Sequence, residues 1–346
     1  VCDVMTPRME PAEHARRRDT LMAHVGDNGI AVIAAAPERP RNRDVQHPYR
    51  QDSDFLYLTG FNEPDAVAVL VPGRPQGQYL LFSRERDPQR ETWEGRTIGQ
   101  AAAVEHYGAD DAFPIDDIDD ILPGLMEGRE QLYCAMGADP DFDQRLIGWV
   151  NALRARARAG VKAPLEYVSL EHVVHEMRLI KSRAEIARLR EAARISAAAH
   201  ERLLGVLRPG LKEYEIEAEL LYDFRRHNGE PAYPTITGSG ANACVLHYIA
   251  NDAELQDGEM ILIDAGMELG GYAADITRTL PINGRYTAEQ RAIYDIVLAA
   301  QAAALEHVRP GAHWNAGHEA ATRVIAAGLL DLGLLEGDLD DVIERG

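Results

Sequence analysis

A chain of 346 residues is too long for one ordinary core and predicts two domains, at roughly 150 residues per domain. Its 46% hydrophobic and 27% charged residues are typical of a soluble globular protein. The net charge of −20 argues against nucleic acid or an anionic membrane as a partner and favours cationic ligands.

The cysteines and the first residues indicate a cytoplasmic protein. Cys2, Cys134 and Cys244 are odd in number and lack a CxxC spacing, which is typical of free thiols in a reducing compartment. Residues 1–8 lack the apolar stretch of a secretory signal, and no run approaches the about 18 apolar residues that span a membrane. We therefore predict neither export nor a membrane-spanning segment.

The first half of the chain predicts a small mixed α/β domain. Residues 11–26, with leucine and alanine among arginines and acids, are predicted to form a surface helix. Short apolar runs bounded by turn residues predict strands at 29–36, 66–71 and 78–82. Trp93 by itself is interpreted as a half-buried aromatic. The basic segment 154–162 is predicted to be exposed surface near the domain boundary.

The second half begins with a long helix. Ser182 and Glu185 have the spacing of a capping box, in which each side chain bonds the other residue's backbone N–H. The apolar positions of the helix after it include Ile186, Leu189, Ala193, Leu203 and Leu207. Further helices are predicted at 213–227, 287–308 and 316–328, followed by a polar acidic tail. The repeated Pro-Gly at 209–210 and 310–311 hints at a duplicated two-helix unit.

Between these helices lie the segments that carry the chemistry. Residues 238–240 are predicted to be a loop, Cys244 a small buried residue, and residues 245–248, with His247, a strand. Residues 260–263 and 272–280 are predicted to be two strands of a hairpin, because Gly270 and Gly271 between them tolerate positive φ.

The hairpin is predicted to bring two aspartates together. A turn around Leu269 and Gly270 places Asp264 opposite Asp275. Directly paired residues share a face of a sheet, with their Cβ atoms about 4.5–5.5 Å apart. Facing carboxylates beside an apolar strand are costly unless something neutralises them. A shared proton or Arg278 could do so, but a metal ion does it best, and carboxylate oxygens favour Mn, Mg or Ca.

The ordinary alternative is a hairpin in which one aspartate caps a turn and the other pairs with Arg278. The surrounding motifs decide against it. Residues 245–248, 262–266 and 271–279 resemble those of the pita-bread metallopeptidases. Residues 47–55 and 58–64 resemble the N-terminal domain of aminopeptidase P, the Xaa-Pro aminopeptidase, and residues 173–182 resemble its domain junction. The resemblance covers essentially the whole chain.

The resemblance implies an α/β (α+β) protein in two parts. A small mixed α/β N-terminal domain is expected at residues 1–176. A pita-bread (creatinase/aminopeptidase) catalytic domain is expected at residues 177–346. The implied activity is metal-dependent removal of the N-terminal residue from peptides with proline in second position, by a hydroxide that bridges two divalent ions, most often Mn²⁺. Peptides with an Xaa-Pro N-terminus are the implied partners, and a homo-oligomer, dimer or tetramer, is the implied assembly.

The resemblance also implies roles for individual residues. Asp264 and Asp275 would be metal ligands, with Asp275 bridging both ions. His247 would lie near the substrate, position the scissile group and stabilise charge in the transition state. Trp93 would approach the site of a neighbouring subunit, and Arg278 is a further candidate for substrate binding.

One departure from the family pattern is important. The family completes its metal site with one histidine and two glutamates C-terminal to the second pair of helices, and the 346 residues end before any of them. We therefore expect the catalytic domain to be truncated at its C-terminus, with two of five ligands present. His313 and His318 lie at a helix start and are not candidates.

Three other functions remain open at this stage. A prolidase-type dipeptidase shares the fold, but the segment at 47–61 argues against it. A creatinase-type amidinohydrolase usually lacks the aspartate pair. A pita-bread scaffold that binds without catalysis would suit an incomplete metal site, but the intact pair of Asp264 and Asp275 argues against such decay.

Overall fold

The computed structural model describes residues 9–345. Cys2 and residues 1–8, to which the prediction on targeting applies, lie outside that range. The chain forms two compact units, of which one ends at Ala187 and the other begins at Arg188. No described helix has the length and apolar character needed to cross a membrane.

The first unit contains a mixed sheet surrounded by helices, and the predicted strands are present. Its strands are β1 (Gly29–Ala34), β2 (Pro40–Asn42), β3 (Val45–Gln46), β4 (Val67–Leu70), β5 (Tyr79–Ser83), β6 (Asp111–Pro114), β7 (Gln131–Cys134) and β8 (Glu166–Ser169). Its helices are α1 (Pro11–Val25), α2 (Ser53–Thr59), α3 (Pro88–Glu94), α4 (Gly99–Tyr107), α5 (Ile118–Met126), α6 (Pro140–Ala155) and α7 (Leu170–Leu179). Helix α8 (Arg183–Leu203) runs across the division between the units.

The six-stranded sheet of the first unit has the strand order β6-β5-β4-β1-β7-β8, and β2 and β3 form a separate two-stranded sheet. Strand β4 is antiparallel to both neighbours, whereas β1 and β7 are parallel. Successive residues of β1 pack into the hydrophobic cores on opposite faces of the sheet. Ile30 and Val32 pack with α5 and α6, whereas Ala31 and Ile33 pack with α1 and α2. A strand buried on both faces reads as a continuous apolar run, which explains why the sequence identified it.

Helix α1 differs from the predicted surface helix. His14, Arg17 and Arg18 are buried, although each is polar. Arg17 donates to the carbonyl of Tyr57 (2.9 Å) and Arg18 donates to the carbonyl of Leu58 (3.0 Å). These carbonyls belong to the last turn of α2 and have no partner within that helix, so the arginines satisfy them. By contrast, the predicted exposed segment 154–162 is exposed except at Val161, which is buried in the core.

The second unit places helices beside two small antiparallel sheets. After α8 come α9 (Glu213–Arg226), β9 (Glu230–Pro231), β10 (Ile236–Ser239), β11 (Met260–Asp264), β12 (Met267–Leu269), β13 (Tyr272–Ala273), β14 (Thr277–Pro281), α10 (Ala288–Glu306), α11 (Ala316–Asp331) and α12 (Leu339–Arg345). One sheet has the order β10-β11-β14 and the other β13-β12-β9. Helix α12 lies where the sequence predicted a polar tail.

Helix α8 begins as predicted but buries a different face. Ser182 and Glu185 form the capping box, with distances of 2.7 Å and 3.3 Å between each backbone nitrogen and the other side chain. Of the predicted apolar positions, Leu203 is buried, whereas Ile186 and Ala193 are exposed. The buried positions of this helix include Ala192, Ile195 and Ala199. Alanines on both sides of the helix made the apolar stripe ambiguous in the sequence.

Candidate active site

The hairpin that carries the two aspartates forms with a register different from the predicted one. Asp264 pairs with Thr277, and Leu269 pairs with Tyr272. The prediction that Asp264 lies opposite Asp275 is therefore wrong. The reason is the turn, because Gly270 and Gly271 both adopt positive φ (59° and 85°) and together form its centre.

The hairpin is interrupted beside Asp264 by a close approach of its two strands. A Cβ atom on Gly266 would lie 1.8 Å from the carbonyl oxygen of Ala274, so only glycine fits there. Two hydrogen bonds flank this point, from Ala265 N to the carbonyl of Ile276 (3.1 Å) and from Ala274 N to that of Met267 (2.9 Å). The backbone around Asp275 is thus tied to the backbone around Asp264.

Asp264 and Asp275 converge on the hydroxyl of Tyr233. The hydroxyl oxygen lies 2.6 Å from Oδ1 of Asp264 and 3.0 Å from Oδ1 of Asp275. The two carboxylate oxygens are therefore separated by no more than the sum of these distances. Burial, reinforced by the two carboxylates, raises the pKa of Tyr233 well above its usual range, so the hydroxyl keeps its proton as a donor. Sequence reasoning missed Tyr233.

The two carboxylates fit part of a site for a hard divalent cation. Both offer oxygen donors, which Mg²⁺, Mn²⁺ and Ca²⁺ prefer. The Tyr233 hydroxyl has one proton for two carboxylates and carries no charge, so it does not neutralise them. A bound cation would neutralise them. Among residues 9–345, no group of three or more His, Cys, Asp or Glu could hold a metal ion. Asp264 and Asp275 are therefore the part of such a site that the described residues supply.

Arg278 does not neutralise the pair in the described residues. It lies on β14 opposite Ile263, and its guanidinium donates to the carbonyl of Thr277 at 2.7 Å. No ion pair joins it to Asp264 or Asp275 within residues 9–345. The alternative of an Arg278–aspartate pair therefore has no support in the geometry.

A buried histidine supports the strand end that carries Asp264. The imidazole Nε2 of His200 lies 3.0 Å from the carbonyl oxygen of Ala265. Burial lowers the pKa of His200, which favours the neutral ring. Because a carbonyl oxygen only accepts, Nε2 is the nitrogen that carries the proton in this hydrogen bond. Its Nδ1 is buried and has no hydrogen-bond partner among residues 9–345. The sequence offered no signal for this residue, because a lone histidine on a helix is common.

The segment around His247 is not the predicted strand. A short 3-10 helix spans Gly240–Cys244, and His247 follows in an exposed turn. Among the described residues, His247 makes no hydrogen bond to Asp264 or Asp275. Cys244 is exposed rather than buried, whereas Cys134 is buried, and both are free thiols as predicted. Gly238 and Ser239 lie in strand β10 rather than in a loop.

Trp93 lies in the other compact unit, on helix α3. Its side chain is 89% exposed, so the interpretation as an ordinary half-buried aromatic is wrong. Because the Trp93 indole is nearly fully exposed, it contributes no buried apolar surface to the fold of this chain.

Two protein-family models and several characterised proteins match this chain. Residues 187–341 match the model of metallopeptidase family M24, and residues 14–133 match that of the aminopeptidase P N-terminal domain. The Xaa-Pro aminopeptidase of Escherichia coli (strain K12) is 44% identical over 335 residues, which cover 96% of this chain and 76% of that protein. The chain belongs to the aminopeptidase P family of M24 metallopeptidases.

Further members of the aminopeptidase P family agree over the same range. The Xaa-Pro aminopeptidase of Haemophilus influenzae is 37% identical over 98% of this chain and 76% of that protein. The solved structure of Pseudomonas aeruginosa aminopeptidase PepP matches with a TM-score of 0.96 and 57% identity, over 98% of this chain and 77% of that chain. An Escherichia coli aminopeptidase P solved in complex with substrate matches with a TM-score of 0.95 and 43% identity, over 98% of this chain and 78% of that chain.

The family confirms the predicted fold class and part of the predicted chemistry. An α/β protein with an N-terminal aminopeptidase P domain followed by a pita-bread metallopeptidase domain is confirmed. Membership in a metallopeptidase family implies divalent metal ions. The roles of His247, Asp264, Asp275, Arg278 and Trp93 stay predictions.

Proposed function

We propose that this chain acts as a metal-dependent aminopeptidase that removes the N-terminal residue from peptides with proline in second position. It is a metallo-exopeptidase by family, and its relatives of 44% and 37% identity are named Xaa-Pro aminopeptidases. The observation that carries the proposal is the convergence of the Asp264 and Asp275 carboxylates on one hydroxyl, 2.6 Å and 3.0 Å away.

The aspartates and Tyr233 have complementary parts in this proposal. Asp264 and Asp275 would hold the divalent ions, which when bound lower the pKa of water and polarise a carbonyl group. Tyr233 orients both carboxylates through its hydroxyl, and the Gly266 approach keeps their backbones in register. This arrangement holds the oxygen donors before any ion arrives, which lowers the reorganisation that binding would need.

His247, Arg278 and Trp93 would act on the peptide. The exposed imidazole of His247 would donate a hydrogen bond to the scissile group, whose proline nitrogen has no N–H to recognise. Arg278 would contact the substrate through its exposed guanidinium, although on β14 it pairs with Ile263 rather than with Asp264. Trp93 would approach the site of a neighbouring subunit, consistent with its exposure. The net charge of −20 favours substrates with a cationic N-terminus.

The proposal also covers the metal, the assembly, the location and the domain bounds of the protein. Manganese is the metal we expect from the family resemblance, and the hard carboxylate oxygens of Asp264 and Asp275 suit Mn²⁺, Mg²⁺ and Ca²⁺ alike. We expect a homo-oligomer, dimer or tetramer, and a location in the cytoplasm. We also expect that the domains comprise residues 1–176 and 177–346. Analytical ultracentrifugation of the purified protein tests the assembly, and metal analysis of protein purified without added metal tests the manganese assignment.

The test of the activity uses the natural protein that contains these 346 residues. We expect release of alanine from Ala-Pro-Ala, no release from Ala-Ala-Ala, loss of the activity with a chelator, and recovery with Mn²⁺. Asp264→Asn should lower kcat/KM by at least about 100-fold, because it removes a charged donor from the metal site. The matched control is Asp331→Asn on exposed surface at the end of α11, which should change nothing.

Two outcomes would contradict this assignment. Cleavage of the dipeptide Ala-Pro without cleavage of Ala-Pro-Ala would favour the prolidase-type dipeptidase. Binding of metal and peptide without any hydrolysis would favour the pita-bread scaffold that binds without catalysis.

A further inference from the structure

A fully buried carboxylate lies at the base of the segment that carries His247. Glu213, the first residue of α9, is 0% exposed and forms no ion pair among residues 9–345. Burying an isolated charge is costly unless hydrogen bonds replace the lost water. The compensation for Glu213 therefore has to come from neutral donors.

Five hydrogen bonds supply that compensation. Oε1 of Glu213 accepts from Ser239 N (2.6 Å), Ser239 Oγ (2.7 Å) and Asn242 Nδ2 (3.3 Å). Oε2 accepts from the Tyr248 hydroxyl (2.7 Å) and from Ala253 N (3.0 Å). Although burial alone raises it, these bonds hold the pKa of Glu213 below its usual range. An ionised carboxylate accepts at both oxygens and donates at neither, which is the chemistry that these donors require.

The donors come from both ends of the segment between β10 and β11. Ser239 ends β10, and Asn242 lies in the 3-10 helix that follows. Tyr248 is the neighbour of His247, and Ala253 lies beyond it. The backbone of Glu213 also contacts this segment, because its N–H donates to the carbonyl of Ala253 at 3.0 Å.

A second buried side chain, that of Asn251, fixes the C-terminal part of the same segment by hydrogen bonds. Asn251 has a positive φ of 49° and is buried. Its Nδ2 donates to the carbonyl of Thr235 (2.8 Å) and to Glu217 (3.0 Å), and its Oδ1 accepts from Thr237 N (3.2 Å). The segment thus has an exposed histidine at its tip, while buried polar groups fix its base.

We propose that Glu213, acting through the Tyr248 hydroxyl, is a positioning residue that sets where the His247 imidazole lies. Residues 244–247 are exposed and form no strand, so the backbone there has few other restraints. The bond from Tyr248 reaches Glu213 from the residue adjacent to His247, so it restrains the backbone at the point where the imidazole is attached. This inference rests on the proposed role of His247. A shift of about 1 Å in a group that contacts substrate can cost about 100-fold in rate.

The test begins with Tyr248→Phe in the natural protein. The change keeps the ring and removes the donor, so we expect kcat/KM for Ala-Pro-Ala to fall about 10-fold, mainly through kcat. The matched control is Tyr214→Phe, which removes a hydroxyl from a half-exposed tyrosine next to Glu213 in the chain and should leave kcat/KM within about 2-fold. Amide hydrogen exchange in residues 240–253 should accelerate in Tyr248→Phe and not in Tyr214→Phe.

A double-mutant cycle separates positioning from general structure. In a His247→Ala background, Tyr248→Phe should change kcat/KM by less than about 2-fold, because there is no imidazole left to position. An equal loss in both backgrounds, or no loss in either, overturns the inference. If His247→Ala itself retains full activity, the inference falls together with the role of His247, while chelator-sensitive cleavage would still support the aminopeptidase.

A second variant strengthens the test. Glu213→Gln replaces one acceptor oxygen by an NH₂ group that faces donors, so it should lower kcat/KM more than Tyr248→Phe does, by about 100-fold. A smaller loss than that of Tyr248→Phe would contradict the inference. Should this variant not fold, the cycle with Tyr248→Phe decides alone.

Discussion

Arg17 offers the sharpest test of how the first unit is held together. Its side chain is 1% exposed, donates to the carbonyl of Tyr57 at 2.9 Å and stacks 4.0 Å from the centre of the Tyr57 ring. It also pairs with Glu185 at 3.4 Å, whose side chain is 4% exposed. Because Glu185 belongs to the capping box of α8, Arg17 connects the opening helix to the start of the long helix.

The substitution Arg17→Met keeps most of the packing volume and removes the charge and the donors. It leaves Glu185 as a buried carboxylate without this partner and removes one donor from the Tyr57 carbonyl. Breaking a buried ion pair by deleting one member costs about 3–5 kcal/mol. The Tyr57 carbonyl keeps its contact with Nδ1 of His14 (2.9 Å), so the unpaired charge on Glu185 accounts for most of that sum. We expect a loss of about 3–5 kcal/mol in the free energy of unfolding of the first unit.

Urea unfolding followed by tryptophan fluorescence measures this loss. Trp149 is buried in the first unit, whereas Trp93 and Trp314 are exposed, so the signal mainly reports the unit that contains Arg17. The midpoint should fall by on the order of 1–2 M urea. The matched control is Arg16→Met, because Arg16 is a 60% exposed neighbour and surface ion pairs contribute at most about 1 kcal/mol. Equal shifts for the two variants would refute the reasoning.

Two further predictions concern the second unit. Because hydrogen bonds depress the folded pKa of Glu213 below its unfolded value of 4.5, its stabilisation is complete above that pH and is lost as the pH falls through the folded pKa. Glu213→Gln should therefore flatten the acid limb of the stability–pH curve in urea titrations from pH 6 to 3, whereas Glu201→Gln on exposed surface should leave it unchanged. Gly266→Ala should cost about 3 kcal/mol or more, since its Cβ would lie 1.8 Å from the Ala274 oxygen. The control Gly124→Ala, in α5 of the first unit with open space around it, should be neutral or stabilise by up to about 1 kcal/mol. Thermal unfolding of each variant beside the unchanged protein measures both effects.

Local signals in the sequence determined most of the secondary structure. The apolar run of β1 and the capping box of Ser182 and Glu185 each act within a few residues, so each can be identified without knowledge of the rest of the chain. The glycine pair likewise indicated the hairpin, but not which two residues form the centre of its turn. The motifs around Asp264 and Asp275 likewise identified the family, because they are contiguous in the chain.

Tertiary structure alone decided which side chains meet. The Tyr233 hydroxyl reaches Asp275 across 42 residues, and Glu213 binds Ser239 across 26. No periodicity or spacing marks such partners, because their encounter depends on how the elements pack. The same holds for the arginines of α1, whose burial depends on carbonyls about 40 residues away at the end of α2. The sequence thus determined most of the elements and the contiguous motifs that contain the two aspartates. Packing decided what orients their carboxylates and holds the backbone around them, because a buried polar group is stable only beside the partners that the fold brings to it.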